Sequence, residues 1–359
     1  MTSLLERVHA ALATVNDPEI RRPITEMGMV RSVTAADDGD VVVGVDLTVA
    51  GCPLKATITQ EVTAAVAAVA DVSSVRVELG VMSDEQRRAL REQLRGNKPE
   101  PVNPFAQPGS PTKVYAIASG KGGVGKSTVT ANLAVTLAQR GLSVGVIDAD
   151  IYGFSIARML GATTLPIKVD DMLIPPLAHE VKVISMGMFV PQGQPILWRG
   201  PKLHRAIEQF LTDVYWGDLD VLLLDLPPGT GDVALPVSQL LPTSQIVVVT
   251  TPQAAAAEVA ERAGAIARQT GQGVAGVIEN MSWLQQADGS RLAVFGEGGG
   301  ERVTESLSLA LTAQVALLGQ VPLDMTVREG GDDGTPAALT HPDSPGAAAL
   351  RAIAALLAA

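Results

Sequence analysis

The residues best suited to chemistry are Gly120-Lys121-Gly122-Gly123-Val124-Gly125-Lys126-Ser127. Their spacing, G-x-x-x-x-G-K-[ST], is that of a phosphate-binding loop. Glycines let the backbone curl so that several N–H groups face one anion, while Lys126 neutralises the outer phosphates and Ser127 offers a hydroxyl to Mg²⁺. The same stretch also matches G-x-G-x-x-G, through Gly120, Gly122 and Gly125. A dinucleotide site needs an acidic residue about 20 positions on. The next strand reads as ending at Asp148, late for that role, and the Lys-Ser pair has no part in such a fingerprint. The flanks favour the phosphate loop. Val114 to Ala118 reads as a strand, and Ser127 to about Arg140 reads as a helix whose N-terminal dipole favours an anion.

Two acidic segments complete the set. Val221-Leu222-Leu223-Leu224-Asp225 is an apolar strand ending in a carboxylate, the arrangement that supports Mg²⁺ in nucleotide sites. It runs into Leu226-Pro227-Pro228-Gly229-Thr230-Gly231-Asp232, a turn suited to sensing the terminal phosphate. Val146-Ile147-Asp148-Ala149-Asp150 places two carboxylates at i and i+2 at a strand end. One is suited to contact metal-bound water and the other to position the attacking water. The plainer reading, a strand-end turn rich in aspartate, stands beside it.

These loops need a scaffold. The chain has 359 residues, 47% of them hydrophobic and only 3% aromatic, so its core is built of Val, Leu, Ile and Ala. Residues 96 to 112 are proline-rich and read as an extended linker. Before it, residues 1–95 read as a small α/β domain, with helices over Leu4–Val15, Leu54–Ala70 and Asp84–Arg95 and strands over Val41–Val49 and Val75–Leu79. After it, in residues 113–359, short β-branched runs (114–118, 143–147, 181–185, 221–224, 246–249 and 274–278) alternate with helical segments. That pattern indicates an α/β domain with a doubly wound, mostly parallel sheet buried on both faces. The last segment, Ala347 to Ala359, carries a single Arg351 and reads as core packing rather than a membrane-binding helix.

The net charge of −11 argues against nucleic-acid and membrane partners. No apolar stretch reaches the roughly 20 residues of a membrane helix, and the start shows no basic region followed by an apolar run. A cytoplasmic location is expected. The four histidines, His9, His179, His204 and His341, show no metal-ligand spacing.

With these residues in view, the chain resembles the deviant Walker A class of P-loop ATPases, through the extra lysine Lys121 in the loop. Within that class it resembles the Mrp/ApbC-type iron–sulfur cluster carriers. Asp148-Ala149-Asp150-Ile151-Tyr152-Gly153, Trp198-Arg199-Gly200-Pro201, Asp225 to Asp232, Ile278-Glu279-Asn280-Met281-Ser282 and Phe295-Gly296-Glu297-Gly298-Gly299-Gly300 carry the likeness. Leu47-Thr48-Val49-Ala50-Gly51-Cys52-Pro53-Leu54 resembles the small iron–sulfur assembly domain often fused N-terminal to such ATPases. The resemblance implies a slow ATPase that binds ATP and Mg²⁺, closes as a homodimer and delivers clusters to apo iron–sulfur proteins. It implies that Lys121 reaches the partner's nucleotide and that Lys126, Ser127 and Thr128 bind phosphate and metal. Asp150 would position the water, Asp148 and Asp225 would lie near the metal, and Asn280 would read the adenine edge.

One departure bears on the cargo. Cluster carriers of this kind usually place Cys-x-x-Cys between the Glu-Asn-Met-Ser and Phe-Gly-Glu-Gly-Gly-Gly segments, where this chain has Trp283-Leu284-Gln285-Gln286-Ala287-Asp288-Gly289-Ser290-Arg291. The only cysteine is Cys52. Two readings of it stand: a thiolate ligand to iron at a helix start, or a small buried apolar side chain. The alternative function is a nucleotide-switched positioning or scaffold ATPase of the partition type that carries no cluster.

Overall fold

In the computed structural model the first helix begins with a reciprocal cap. Ser3 Oγ accepts from the Glu6 amide, and the Glu6 carboxylate accepts from the Ser3 amide. The structure describes the chain apart from residues 1–2, 37, 49–53, 96–101, 151–152, 190–199, 230–233, 254–261 and 263–264. The Cys52 segment, Trp198-Arg199 and Thr230 to Asp232 lie outside the described residues.

Helix α1 (Leu4–Leu12) buries Val8 and Leu12. Strands β1 (Val30–Ala35) and β2 (Asp40–Leu47) pair antiparallel. Helix α2 (Lys55–Ala67) buries Ile58, Val62 and Val66, a strict i, i+4 row. Strand β3 (Ser74–Val81) then pairs parallel with β2, and α3 (Asp84–Arg95) follows. The row on α2 packs with Val41, Val43 and Val45, the inward residues of β2. The expected helices and strands of this region are present. β1 escapes notice in the sequence because all six of its residues are exposed or half-buried.

The second half of the chain forms a nine-stranded sheet. In chain order it contains β4 (Lys113–Ala118), α4 (Lys126–Gln139), β5 (Val144–Asp148), α5 (Ile156–Met159), β6 (Ile167–Val169), β7 (Met172–Ile174), β8 (Leu177–Ala178), β9 (Val181–Ser185), α6 (Gly200–Thr212), β10 (Val221–Asp225), α7 (Ala234–Leu240), β11 (Gln245–Thr250), β12 (Gly273–Gln285), β13 (Arg291–Leu292), α8 (Gly299–Leu311), β14 (Leu317–Leu323), α9 (Met325–Asp333), α10 (Ala337–Thr340) and α11 (Pro345–Ala358). The strand order is β13-β12-β11-β4-β10-β5-β9-β8, with β14 on β12, while β6 and β7 form a separate hairpin. Only the short strands β8 and β13 run antiparallel. The six apolar runs seen in the sequence are β4, β5, β9, β10, β11 and β12. Every residue of β5, β9 and β10 is buried, as strands covered on both faces require. On one face α4 and α11 pack; α11 buries Ala347, Leu350, Ile353, Ala354 and Leu357, the core role expected of it. On the other, Val303 and Leu307 of α8 cover Ile246, Val248 and Val277.

The structure departs from the sequence reading at two boundaries. The chain divides into one unit of residues 1–102, 166–176 and 213–217, and a second unit of the remainder. Ile167, Val169, Met172 and Ile174 of the β6–β7 hairpin share a core with Val8, Met29 and Val45. Arg91 of α3 also meets Asp170 at 3.6 Å and Asp171 at 3.3 Å. Segments assigned by position to the second domain therefore belong to the first unit, because strands of three residues cannot bury an apolar face alone. The end of the supposed linker is likewise structured. Pro104–Ala106 forms a 3₁₀ turn with Phe105 buried, and Asn103 Nδ2 donates to the Leu240 carbonyl at 2.7 Å.

Candidate functional site

The loop from Ser119 to Gly125 joins the C-terminal end of β4 to the start of α4. β4 lies between β10 and β11. The chain first builds the sheet outward on the β10 side through β5 and β9, then crosses from β10 to β11 and β12 on the other, so β4 stands where the strand order reverses, the place where open α/β sheets bind ligands. Gly123 and Gly125 have φ of +78° and +77°, values that glycine alone adopts without strain. Gly125 caps α4 with no side-chain hydrogen bond, which leaves the first helical N–H groups free for an anion.

Behind the loop stands Asp225, fully buried at the end of β10. Its Oδ2 takes the Lys126 ammonium at 2.7 Å and the Ser127 hydroxyl at 2.6 Å, and its Oδ1 takes the Thr130 hydroxyl at 2.8 Å. Thr130 carries no motif signal of its own. It follows Lys126 by four residues, so helical periodicity alone puts it on the same face. Parallel pairing of β10 with β5 sets Asp225 beside Asp148. Asp148 Oδ2 accepts from the amides of Ser155 (2.9 Å) and Ile156 (3.1 Å) and from the Ser185 hydroxyl (3.0 Å), while Oδ1 accepts from the Asp150 amide at 3.2 Å. Burial, and then the neighbouring Asp225 carboxylate, raise Asp148 to about 7 against those hydrogen bonds. Asp148 thus ties β5, β9 and the start of α5 together beside Asp225. Asp150 is buried and accepts from the Gly153 amide at 2.9 Å.

Other strand ends close the loop from the sides. Asn280 Nδ2 donates to the Val124 carbonyl at 2.9 Å. A Cβ on Gly125 would fall 2.3 Å from that nitrogen, so glycine is required there for space as well as for φ. Lys121 Nζ donates to Gln253 Oε1, and Arg262 donates to the Gly120 carbonyl at 3.2 Å. The Gly229 amide donates to the Ser119 carbonyl at 2.9 Å, holding the loop after β10 against β4. Ser119 Oγ is buried with no partner among the described residues. The sequence-predicted residues Gly120, Lys121, Gly122, Gly123, Val124, Gly125, Lys126, Ser127, Thr128 and Asn280 are thus joined around one loop, with Asp225 and Asp148 on adjacent strands behind it. Gln253, Ser185 and Arg262 escape the sequence reading because each reaches the site from a strand end or helix distant in the chain. No group of three or more His, Cys, Asp or Glu suited to a metal occurs among the described residues. No helix there is long and apolar enough to cross a membrane.

A parallel sheet, a glycine-rich loop opening a helix, and a Lys–Ser pair on a buried strand-end aspartate define a P-loop nucleotide-binding protein. The chain belongs to the NUBPL iron-transfer P-loop NTPases, whose pattern matches residues 110–358. Residues 5–79 match the iron–sulfur cluster assembly protein family. The chain is 62% identical over 337 residues to an iron-sulfur cluster carrier protein of Mycobacterium tuberculosis, covering 94% of this chain and 88% of that one. It is 44% identical to one of Deinococcus radiodurans, covering 97% and 93%. Among solved structures it resembles a nucleotide-binding protein in complex with ADP from Archaeoglobus fulgidus. That match has a TM-score of 0.53 and 34% identity, over 70% of this chain and 91% of that one.

Proposed function

We propose that this protein is a cytoplasmic iron–sulfur cluster carrier that binds ATP with Mg²⁺, hydrolyses it slowly through a deviant Walker A loop, and delivers clusters to apo iron–sulfur proteins. The observation that carries the nucleotide half is the Lys126–Ser127–Thr130 set gathered on Asp225 at an uncapped helix start. The likeness to relatives named as cluster carriers supports the cargo half.

In this reading the loop amides and Lys126 hold the phosphates, and Thr128 lies on the first turn beside them. The hydroxyl and carboxylate of Ser127 and Asp225 fit a magnesium ion, which when bound would add positive charge next to the phosphates; Asp148 stands one strand away. Asp150 positions water for attack on the γ-phosphate. Lys121 exchanges its Gln253 partner for the nucleotide of a second copy in a closed homodimer. Asn280, held by Val124, faces the adenine edge. Catalysis is then by position and charge neutralisation. With one cysteine in the chain, a cluster has at most one thiolate ligand per copy, from Cys52, and the remaining ligands are supplied from outside it.

The test is anaerobic loading with iron and sulfide, followed by transfer to an apo-ferredoxin, using wild type, Lys126→Ala and Cys52→Ser. Transfer above a protein-free control, reduced in both variants, is expected. No bound iron and no gain in transfer would remove the carrier role. The absence of cysteine between Ser282 and Phe295 favours one second reading, a nucleotide-switched scaffold without cargo. Self-association driven by ATP in a protein that retains no iron would support it.

A further inference from the structure

Strand β12 passes from the core to the nucleotide loop and on into the β12–β13 hairpin within a few residues, and each residue of Glu279-Asn280-Met281-Ser282 does something different. Glu279 is buried; its Oε2 accepts from the Gly300 amide at 2.6 Å and its Oε1 from Gln320 Nε2 at 2.9 Å, anchoring the strand to α8 and β14. Asn280 holds the Val124 carbonyl of the loop. Met281 has φ of +58°, a left-handed backbone that a long unbranched side chain rarely adopts. Its Cε would lie 3.5 Å from a Cβ placed on Gly125, so its side chain lies beside the loop. Ser282 is buried and returns its hydroxyl to the Glu279 carbonyl at 2.9 Å, closing the distortion on itself.

The distortion is a bulge. Asn280 pairs with Val321, yet Leu284 pairs with Leu323, so four steps along β12 match two along β14. Beyond the bulge, Leu284 and Gln285 pair with Leu292 and Arg291, and the tip is closed by local hydrogen bonds from Gln286, Gly289 and Ser290. Arg291 stacks on Trp283 at 4.0 Å from the ring centroid, a contact internal to the hairpin. Trp283 Nε1 is buried with no partner among the described residues. The hairpin is thus joined to the core through a strained residue beside the nucleotide loop and through the Leu284–Leu323 pairing with β14, and strain of this kind gathers at elements with two arrangements.

We propose that the Met281–Trp283 bulge couples the nucleotide loop to the 283–292 hairpin, so that phosphate binding at Gly120–Ser127 changes the hairpin's conformation. Nucleotide draws the loop backbone toward the phosphates; Val124 and Gly125 carry Asn280 and Met281 with them. The anchor at Glu279 stays fixed in the core, so the backbone change falls on Met281 and reorients the hairpin. The hairpin is then the nucleotide-responsive surface of this half of the molecule.

Trp283 reports the change directly. Emission and acrylamide quenching of the full chain are recorded with and without ATP and Mg²⁺, with binding verified by equilibrium dialysis. Hydrogen exchange of residues 281–292 in the unsubstituted protein is followed in parallel. ATP is expected to shift the emission, Trp283→Phe to abolish the shift, and amide exchange in the hairpin to change. Met281→Gly accepts the left-handed backbone without strain and removes the side chain that lies beside the loop, so it should reduce the response at saturating ATP by about two-fold or more. Bound ATP with unchanged Trp283 emission and unchanged hairpin exchange overturns the proposal, as does a full-amplitude response in Met281→Gly. Should that variant fail to bind ATP, the exchange experiment decides.

Discussion

Asp225 gathers three donors that come from one turn of α4, so the cation, the hydroxyl and the carboxylate needed around a phosphate–metal pair are placed before any ligand arrives. Asp150 has a different position. Its carboxylate accepts from the Gly153 amide, on the loop after β5, and the role proposed for it is to orient water rather than to grip phosphate. Asp150→Ala should therefore lower ATP turnover by about 10²-fold or more while leaving nucleotide affinity within a few-fold. Steady-state phosphate release combined with equilibrium binding separates the two. A proportionate loss of affinity would place Asp150 on the nucleotide instead. At this scale the loop was legible because its glycines, lysine and serine are contiguous, whereas Gln253 and Ser185 carry no local signal. A second residue-level consequence lies in the small unit. Glu19 is buried beside Asp17, and burial first, then the Asp17 charge, raises it from 4.5 to about 8. The folded protein then binds a proton that the unfolded chain releases near 4.5. The contribution of Glu19 to stability is fully present below that value and is lost as pH rises through about 8, with a slope of at most about 1.4 kcal/mol per pH unit. Denaturant midpoints measured from about pH 5 to 9 should show this decline in wild type and lose most of it in Glu19→Gln.

At the scale of elements, the glycines of Gly296 to Gly300 gain a structural reason. Gly296 and Gly298 are left-handed at +88° and +74°. Gly299 and Gly300 let the start of α8 lie directly on the sheet, since added Cβ atoms would meet the Thr251 carbonyl at 2.3 Å and Glu279 Cβ at 2.9 Å. Gly299→Ala cannot be relieved by a side-chain rotation, because the opposing atoms are backbone. It should cost about 1–3 kcal/mol, read as a lowered thermal midpoint, with a change in nucleotide affinity because Thr251 follows β11 beside the loop. An unchanged midpoint would mean that α8 shifts freely and that the close approach is not needed. The parallel strands were legible here because burial on both faces leaves nearly unbroken apolar runs. The β12 bulge and the β6–β7 hairpin were not. A left-handed Met281 has no compositional mark, and three-residue strands such as Ile167–Val169 are too short to show a period.

For the whole molecule, proline content marks a boundary near residues 96–112 in the sequence but does not show which later segments return to the first unit. Residues 166–176 and 213–217 belong to the first unit, so the chain passes between the two units several times. Ile167, Val169, Met172 and Ile174 supply its core although they follow the Asp148–Asp150 loop in sequence. A fragment of residues 103–359 would therefore carry these four apolar side chains without the core that buries them. It should bind a hydrophobic dye and aggregate at concentrations where the full chain remains monodisperse. Replacing residues 166–176 with a short Gly-Ser segment should remove both effects while leaving the phosphate loop able to bind ATP. Residues 1–102 alone should be less stable than the same unit in the full chain, since the lost burial is worth about 1.5–3 kcal/mol for each large apolar side chain. A 103–359 fragment that stays monodisperse and does not bind dye would show that the hairpin finds other cover, and the small unit would then be dispensable to the fold of the ATPase half.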